Sequence, residues 1–125
     1  MPWNATVDPS RRYVEIVYSG RVGPDDLQQA LGRAIELGVT LPRPLFLADC
    51  SGMTTGPGLA DLYFLADQLA VIEHAATIRE ALILPALADS ADSLRFWETA
   101  CANRGLTVRV FGAQPPALEW LLEGP

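Results

Sequence analysis

The sequence predicts an α/β domain with a mixed sheet of four or five strands, an N-terminal hairpin and about four helices mainly on one face. Two observations carry this prediction. Short runs of β-branched and apolar residues alternate with longer segments in which apolar residues repeat at helical spacing. The resulting order, β-β-α-β-α-β-α-β-α, is typical of a largely parallel sheet with right-handed crossover connections.

The first two strands are predicted over Trp3–Val7 and Arg12–Tyr18, as the arms of a hairpin. The residues between them, Asp8 to Arg11, have turn chemistry, because proline presets φ and aspartate bonds to its neighbouring backbone. In the second strand, alternate apolar residues share one face, and Glu15 marks the wetter face. We therefore expect this part of the sheet to be covered mainly on one side.

The first helix is predicted to begin at Pro24 and to end at Gly38. Proline suits the first helical position, and Asp25 and Asp26 in the first turn interact favourably with the positive end of the helix dipole. Glycine is a common helix stop. The apolar residues that repeat at helical spacing are Leu27, Ala30, Leu31, Ala34 and Ile35.

The segment from Leu45 to Gly58 organises the rest of the chain. Leu45–Ala48 is a fully apolar strand, which favours a central position packed on both faces. A loop is predicted over Asp49–Gly58 and a helix over Leu59–Ala75. In α/β folds such a loop lies at the carboxyl edge of the sheet, where working surfaces usually lie. The helix is apolar around much of its circumference, which indicates deep burial or contact with a subunit or ligand.

Three more elements and a short terminal helix complete the chain. Strands are predicted over Glu80–Leu84 and Leu106–Phe111, a helix over Ser90–Arg104, and the terminal helix after Pro115. No repeat or linker interrupts residues 1–125, so we expect a single domain. A domain of this length buries roughly two-thirds of the surface that its unfolded chain exposes.

Composition excludes several classes of function. The net charge is −6, all nine basic residues are arginine, and they form no cluster. Nucleic acids and anionic membranes are therefore not expected as partners. Because the chain has no lysine, catalysis through a lysine Schiff base is not expected either. No apolar run reaches roughly 18 residues, so we expect no secretion signal and no membrane span. A cytoplasmic location is expected, in which Cys50 and Cys101 stay free thiols.

Six residues of the predicted loop form the candidate site for a partner or ligand: Asp49, Ser51, Gly52, Thr54, Thr55 and Gly58. Backbone N–H groups before a helix can bind an anion or a partner's carboxylate. The alternative, which we favour, is that glycine and threonine only cap the helix and permit a tight turn. Asp49 is either a base or metal ligand or, more commonly at such a position, an acceptor for nearby backbone N–H groups.

No catalytic set, metal site or cofactor is predicted. His74 is the only histidine, and it is expected near a helix C-terminus, where the dipole favours it. It has no H-x-x-x-H spacing and no nucleophile motif beside it. Cys50 follows a buried strand, which favours an inert core thiol over a reactive one.

Two stretches resemble STAS domains, the sulphate-transporter and anti-sigma-factor-antagonist domains. Asp49-Cys50-Ser51-Gly52-Met53-Thr54, followed by Gly58-Leu59 and Leu62, resembles their D-L-S-G-V-T … S-G-L-x-x-L segment. Arg79–Leu121 resembles stand-alone STAS-like, SpoIIAA-like proteins of bacteria. The resemblance implies the fold and a recognition edge. STAS antagonists also carry a phosphorylated serine at the start of the second helix. Here Gly56-Pro57-Gly58 stands in its place, and Thr54 and Thr55 are out of register.

Three functions compete at this stage. The first is a non-enzymatic regulatory module that binds a protein partner, or its own copy as a homodimer, through Asp49–Gly58 and the following helix. The second is a carrier or sensor of a small apolar ligand, held among Phe64, Phe96, Trp97 and Trp120. The third is an enzyme that uses Asp49 or His74, and it ranks last because the sequence names no substrate whose turnover Asp49→Asn should abolish.

Overall fold

The computed structural model describes residues 2–72, 74–86 and 88–123. Its sheet contains five strands in the order β1-β2-β3-β4-β5. They are β1 (Trp3–Val7), β2 (Val14–Arg21), β3 (Leu45–Thr55), β4 (Arg79–Ile83) and β5 (Thr107–Phe111). The first pair is antiparallel and the other pairs are parallel. The predicted mixed α/β sheet with an N-terminal hairpin is confirmed.

The helices follow from this strand order. They are α1 (Pro24–Gly38), α2 (Leu59–Ala70), α3 (Ala88–Ala102) and α4 (Gln114–Leu121), with a 3-10 turn over Ala75–Thr77. Each crossover between parallel strands moves one place in the same direction. Right-handed crossovers of this kind put α1, α2 and α3 on one face of the sheet. Helix α4 follows the last strand and folds back onto the opposite face.

Two cores lie on the two faces of the sheet, and β3 contributes to both. Phe46 and Ala48 belong to the core beneath α1, α2 and α3, whereas Leu45 and Leu47 belong to the core beneath α4. Successive side chains of a strand point to opposite faces, so a strand packed on both sides reads as a continuous apolar run. The predicted central position of this strand is confirmed.

The loop predicted over Asp49–Gly58 is wrong for most of its length, because β3 continues to Thr55. Strand β2 also runs on to Arg21, and its end pairs with the extension of β3 after two irregularities in register. The side chain of Met53 is buried in the core of the three-helix face. Pairing with β2 and burial of Met53 therefore hold this segment extended, and only residues 56–58 connect it to α2.

Helix α2 ends at Ala70, five residues before the predicted end at Ala75. His74 lies in the left-handed region with φ of 63°, a conformation that cannot continue an α-helix. The chain then forms the 3-10 turn that leads into β4. His74 consequently lies after the helix, four residues beyond its end, and the predicted extension of the helix to Ala75 is wrong.

Two glycines of α1 test how tightly this helix packs on β3. A Cβ at Gly38 would lie 2.6 Å from Phe46 Cζ, whereas a Cβ at Gly32 would meet nothing within 4 Å. We expect Gly38→Ala to lower the free energy of unfolding by about 1–3 kcal/mol through overpacking. Gly32→Ala should raise it by about 0.5–1 kcal/mol, because alanine restricts the unfolded chain and favours the helix. Urea denaturation measures both.

Adding Phe46→Leu to the Gly38→Ala variant is the control for this contact. The smaller leucine side chain leaves room for the new methyl group. The double variant should therefore lose less free energy of unfolding than the two single variants lose together. Equal stability of Gly38→Ala and Gly32→Ala would contradict the packing described here.

Candidate functional site

The six candidate residues do not surround a common point. At the rise of an extended strand, roughly 3.3 Å per residue, Asp49 and Thr55 lie about 20 Å apart along β3. Asp49 Oδ1 accepts hydrogen bonds from the backbone N–H of Ser51 at 3.0 Å and from its hydroxyl at 2.6 Å. Asp49 therefore accepts hydrogen bonds from the nearby backbone. This is the second of the two roles that the sequence suggested for it, the other being that of a base or metal ligand.

The glycines and threonines between Asp49 and Gly58 have structural roles: some allow β3 to pair with β2, and Gly58 precedes the first turn of α2. A Cβ at Gly52 would lie 3.2 Å from the carbonyl oxygen of Tyr18, so glycine permits the close approach of β2. The carbonyl of Thr55 accepts from the N–H of Val22 at 2.8 Å. Gly58 is the N-cap of α2, without a side-chain cap. An anion cradle formed by all six residues is therefore not assembled.

Helix α2 exposes large apolar side chains on its outer face. The exposed fractions are 53% for Leu59, 53% for Tyr63 and 62% for Phe64. Its inner face is formed by buried residues, namely Leu62, Leu65, Ala66 and Leu69. The surplus of apolar positions in the sequence of this helix thus corresponds to a second apolar side that faces solvent. We call Leu59, Tyr63 and Phe64 the outer patch.

The outer patch is bordered by Arg104, which follows α3, on one flank and by a small cavity beside α1 on the other. The Arg104 guanidinium lies 4.3 Å from the centre of the Tyr63 ring and donates from Nε to Asp67 Oδ1 at 2.6 Å. Its Nη1 donates to the carbonyl of Ala100 at 2.7 Å. On the other flank, a cavity of about 50 Å³ lies between α1 and α2 beside Phe64. The orientation of Tyr63 is therefore supported from outside its own helix.

The apolar ligand site predicted among Phe64, Phe96, Trp97 and Trp120 is not formed. Phe64 is exposed on α2, while Trp97 is buried between α3 and the sheet. Trp120 lies on the opposite face, where its ring packs at 5.7 Å from Phe111 and under the guanidinium of Arg79 at 4.1 Å. The sheet separates these rings because α4 covers the face that the other helices leave open.

Comparison with solved structures identifies the architecture. The crystal structure of an uncharacterized protein of the DUF3478 family with a SpoIIAA-like fold, from Shewanella loihica PV-4, matches with a TM-score of 0.56 and 19% identity. The match covers 95% of this chain and 91% of that chain. The chain has a SpoIIAA-like fold. No family model and no curated protein sequence matches it. The resemblance to STAS-like domains is confirmed as a likeness of fold.

The SpoIIAA-like core contains a buried carboxyl group that the sequence reasoning missed. Glu80 on β4 accepts a hydrogen bond from Trp97 Nε1 at 3.0 Å. Burial raises the pKa of Glu80 to about 7, and the Trp97 bond opposes this shift. Two cavities of about 20 Å³ each are lined in part by Glu80. The signal in the sequence was an acidic residue within an otherwise apolar strand, EALIL.

The two thiols are buried in the same core. Burial, with a smaller contribution from Glu80, raises the pKa of Cys50 well above its ordinary value, and burial likewise raises the pKa of Cys101. Both thiols therefore stay protonated at neutral pH, which disfavours a nucleophilic role. The interpretation of Cys50 as an inert core thiol agrees with this environment.

The described residues contain neither a metal-binding cluster nor a helix suited to span a membrane. In the part of the chain that the structure describes, no group of three or more histidine, cysteine, aspartate and glutamate side chains is placed to hold a metal ion. Over the same residues, no helix combines the length and the hydropathy that crossing a membrane requires.

Glu80 makes the stability of the fold depend on pH. Its pKa is about 7 in the folded chain against an ordinary value of 4.5. Between pH 4.5 and pH 7 the carboxyl group of Glu80 is mostly ionised in the unfolded chain and mostly protonated in the folded chain. The free energy of unfolding therefore falls as the pH rises from 4.5 towards 7, and then levels off. The loss is on the order of 3 kcal/mol. Glu80→Gln keeps an acceptor for Trp97 and removes the titration.

The measurement is urea denaturation of both proteins across this pH range. The difference in stability between Glu80→Gln and the wild type should grow with pH, to the advantage of the variant. Glu36→Gln, which removes an exposed glutamate of α1, is the matched control and should follow the wild type. A constant difference between Glu80→Gln and the wild type would show that Glu80 does not titrate in this window.

Proposed function

We propose that this SpoIIAA-like domain is a non-enzymatic regulatory module that binds a protein partner through the outer patch of α2. The observation that carries the proposal is the exposure of three large apolar side chains, Leu59, Tyr63 and Phe64, at the start of one helix. Contiguous exposed apolar surface on a small protein is typical of an interaction site. The likeness to a SpoIIAA-like structure, together with the STAS-like resemblance of the sequence, supports the same class of function.

The physical chemistry of the outer patch favours a protein contact. Burying one such side chain contributes about 1.5–3 kcal/mol, and aromatic residues are enriched among the residues that dominate interfaces. Arg104 and Asp67 support Tyr63 before any partner arrives. A side chain that is already ordered loses less conformational entropy on binding, which improves affinity.

The end of the candidate segment adjoins the outer patch. Thr54, Thr55 and Gly58 immediately precede α2, and both threonines are exposed. We assign these three residues to the rim of the docking surface. Asp49, Ser51 and Gly52 lie farther back along β3, and we assign them a supporting role in holding the extended strand. Gly56-Pro57-Gly58 stands where STAS antagonists carry their phosphorylated serine, so we propose docking that does not depend on a serine phosphoswitch.

The charge of the molecule favours a different protein over a second copy as the partner. The net charge is −6, and α2 carries Asp61 beside the patch without a cation paired to it among the ion pairs described, whereas Asp67 is paired with Arg104. A two-fold dimer places the same patch on both sides of the interface and brings like charges together. A partner with apolar side chains flanked by cationic ones is complementary to this surface. We place the encounter in the cytoplasm, where buried thiols stay reduced.

The test removes the apolar character of the patch without disturbing the core. We expect Leu59→Ser/Phe64→Ser to fold with stability within about 0.5 kcal/mol per site of the wild type, because both side chains are exposed. Capture from a lysate of the source organism, quantified by mass spectrometry, should enrich at least one protein with the wild type and lose it with this variant. Light scattering reports self-association in the same samples.

Val39→Ser is the matched control, because Val39 is an exposed apolar residue that follows α1 and lies outside the patch. It should capture the same proteins as the wild type. Enrichment that survives Leu59→Ser/Phe64→Ser, or that Val39→Ser abolishes equally, would contradict docking at α2. A dimer that Phe64→Ser dissolves would make a second copy the partner.

A further inference from the structure

A second surface lies at the opposite end of the sheet, where the parallel strands begin. An open cleft of about 500 Å³ is formed there by residues that precede β3, the start of β4 and the start of β5. Two arginines line it, Arg43 and Arg79, although they are far apart in sequence. The pairing of Leu45 with Arg79 in the sheet brings them together. The volume falls within the range of small-molecule sites, roughly 300–1,000 Å³.

We propose that this cleft binds a small organic oxyanion, whose carboxylate or phosphate group lies between Arg43 and Arg79. Both sources share the same chemistry, because planar guanidinium groups bind either group through paired hydrogen bonds. The apolar walls of the cleft, Pro42, Pro44 and Ile78, contact the carbon skeleton of the ligand. This site is separate from the outer patch of α2 and independent of the function proposed for it.

Arg79 is held in place and has donors to spare. Its guanidinium lies 4.1 Å from the centre of the Trp120 ring, and Nη2 donates to the Trp120 carbonyl at 2.7 Å. Its Nε is buried without a hydrogen-bond partner among the described residues. A guanidinium that is fixed by stacking and only partly satisfied is preorganised for an anion, because little side-chain entropy remains to be lost on binding.

The acidic residue beside these arginines, Glu123, is only weakly paired with them. Glu123 Oε2 approaches Arg79 Nη2 only to 3.9 Å, and the Glu123 side chain is 70% exposed. Arg43 Nη2 donates to the Glu123 carbonyl at a long 3.4 Å. A carboxylate at 3.9 Å makes no hydrogen bond. Exposed pairs of this kind contribute little. A ligand carboxylate or phosphate with full hydrogen bonds therefore displaces Glu123.

The test is a titration of the isotopically labelled chain, followed by the backbone amide resonances of residues 77–79 and 107. The probes are benzoate and phenyl phosphate, with inorganic phosphate lacking the apolar body and benzyl alcohol lacking the charge. We expect saturable shifts with benzoate, with phenyl phosphate or with both, and the ratio of their affinities shows which of the two oxyanions the cleft prefers. Inorganic phosphate should bind more weakly, and benzyl alcohol should leave these resonances unchanged.

Variants with opposite effects separate a binding role from a structural one. Arg43→Gln should weaken binding roughly tenfold or more, since it removes a charged donor. Glu123→Gln should strengthen binding several-fold by removing the internal competitor. Arg33→Gln, which alters an exposed ion pair on α1, is the matched control and should bind as the wild type does. Arg79→Lys keeps the charge but loses the fork, and should weaken binding while the chain stays folded.

Three outcomes would overturn the proposal: no shifts at tens of millimolar probe, equal affinities of Arg43→Gln and Arg33→Gln, or weaker binding by Glu123→Gln. Leu59→Ser/Phe64→Ser should bind the probes as the wild type does. A failure at the arginine cleft therefore leaves docking at α2 untouched, and a failure of docking leaves the anion site untouched.

Discussion

The packing of β3 on both faces is the constraint on which the rest of the structure depends. Leu45–Ala48 pairs with β2 on one side and β4 on the other, and its side chains alternate between two cores. The first core is closed by three crossover helices and the second by α4. Neither layer of helices is stable without the central strand, because that strand supplies part of the apolar surface that each layer covers.

The same strand determines where the two proposed binding surfaces lie. Because β3 extends to Thr55, the polar candidate residues lie one after another along the strand, and the strand ends close to the start of α2. The helix then lies between α1 and α3, with one apolar side buried and the other exposed. At the other end of β3, its pairing with β4 brings Arg43 close to Arg79. The two proposed surfaces therefore lie at opposite ends of one strand.

Features that depend on local sequence were predictable, and features that depend on distant partners were not. The limits of α1 and the apolar run of β3 follow from proline, glycine and hydrophobic periodicity within a few residues. The extension of β3 depends on irregular pairing with β2, some thirty residues away. Aspartate, serine and glycine in this segment are typical of loops, and tertiary pairing overrode that preference.

The candidate site shows the same division. The apolar surplus of α2 was visible in the sequence, because both sides of the helix carry large apolar residues. The separation of Trp97 from Trp120 was not, since it depends on α4 crossing to the other face. The convergence of Arg43 and Arg79 likewise requires the register of β3 and β4. The burial of Glu80 could not be predicted either, because it depends on the packing of distant elements. The sequence indicated it only by placing an acidic residue in an apolar strand.

Amide hydrogen exchange over residues 45–58 tests the central claim most directly, because that claim makes β3 one continuous paired strand. Peptides that cover residues 45–55 should be protected, through pairing with β2 and, as far as Asp49, with β4, whereas residues 56–58 should exchange rapidly. Protection that ends at Ala48, with residues 49–58 all exchanging as a loop, would contradict the account. The candidate residues would then belong to a mobile recognition loop, and α2 would lose its place as the docking surface.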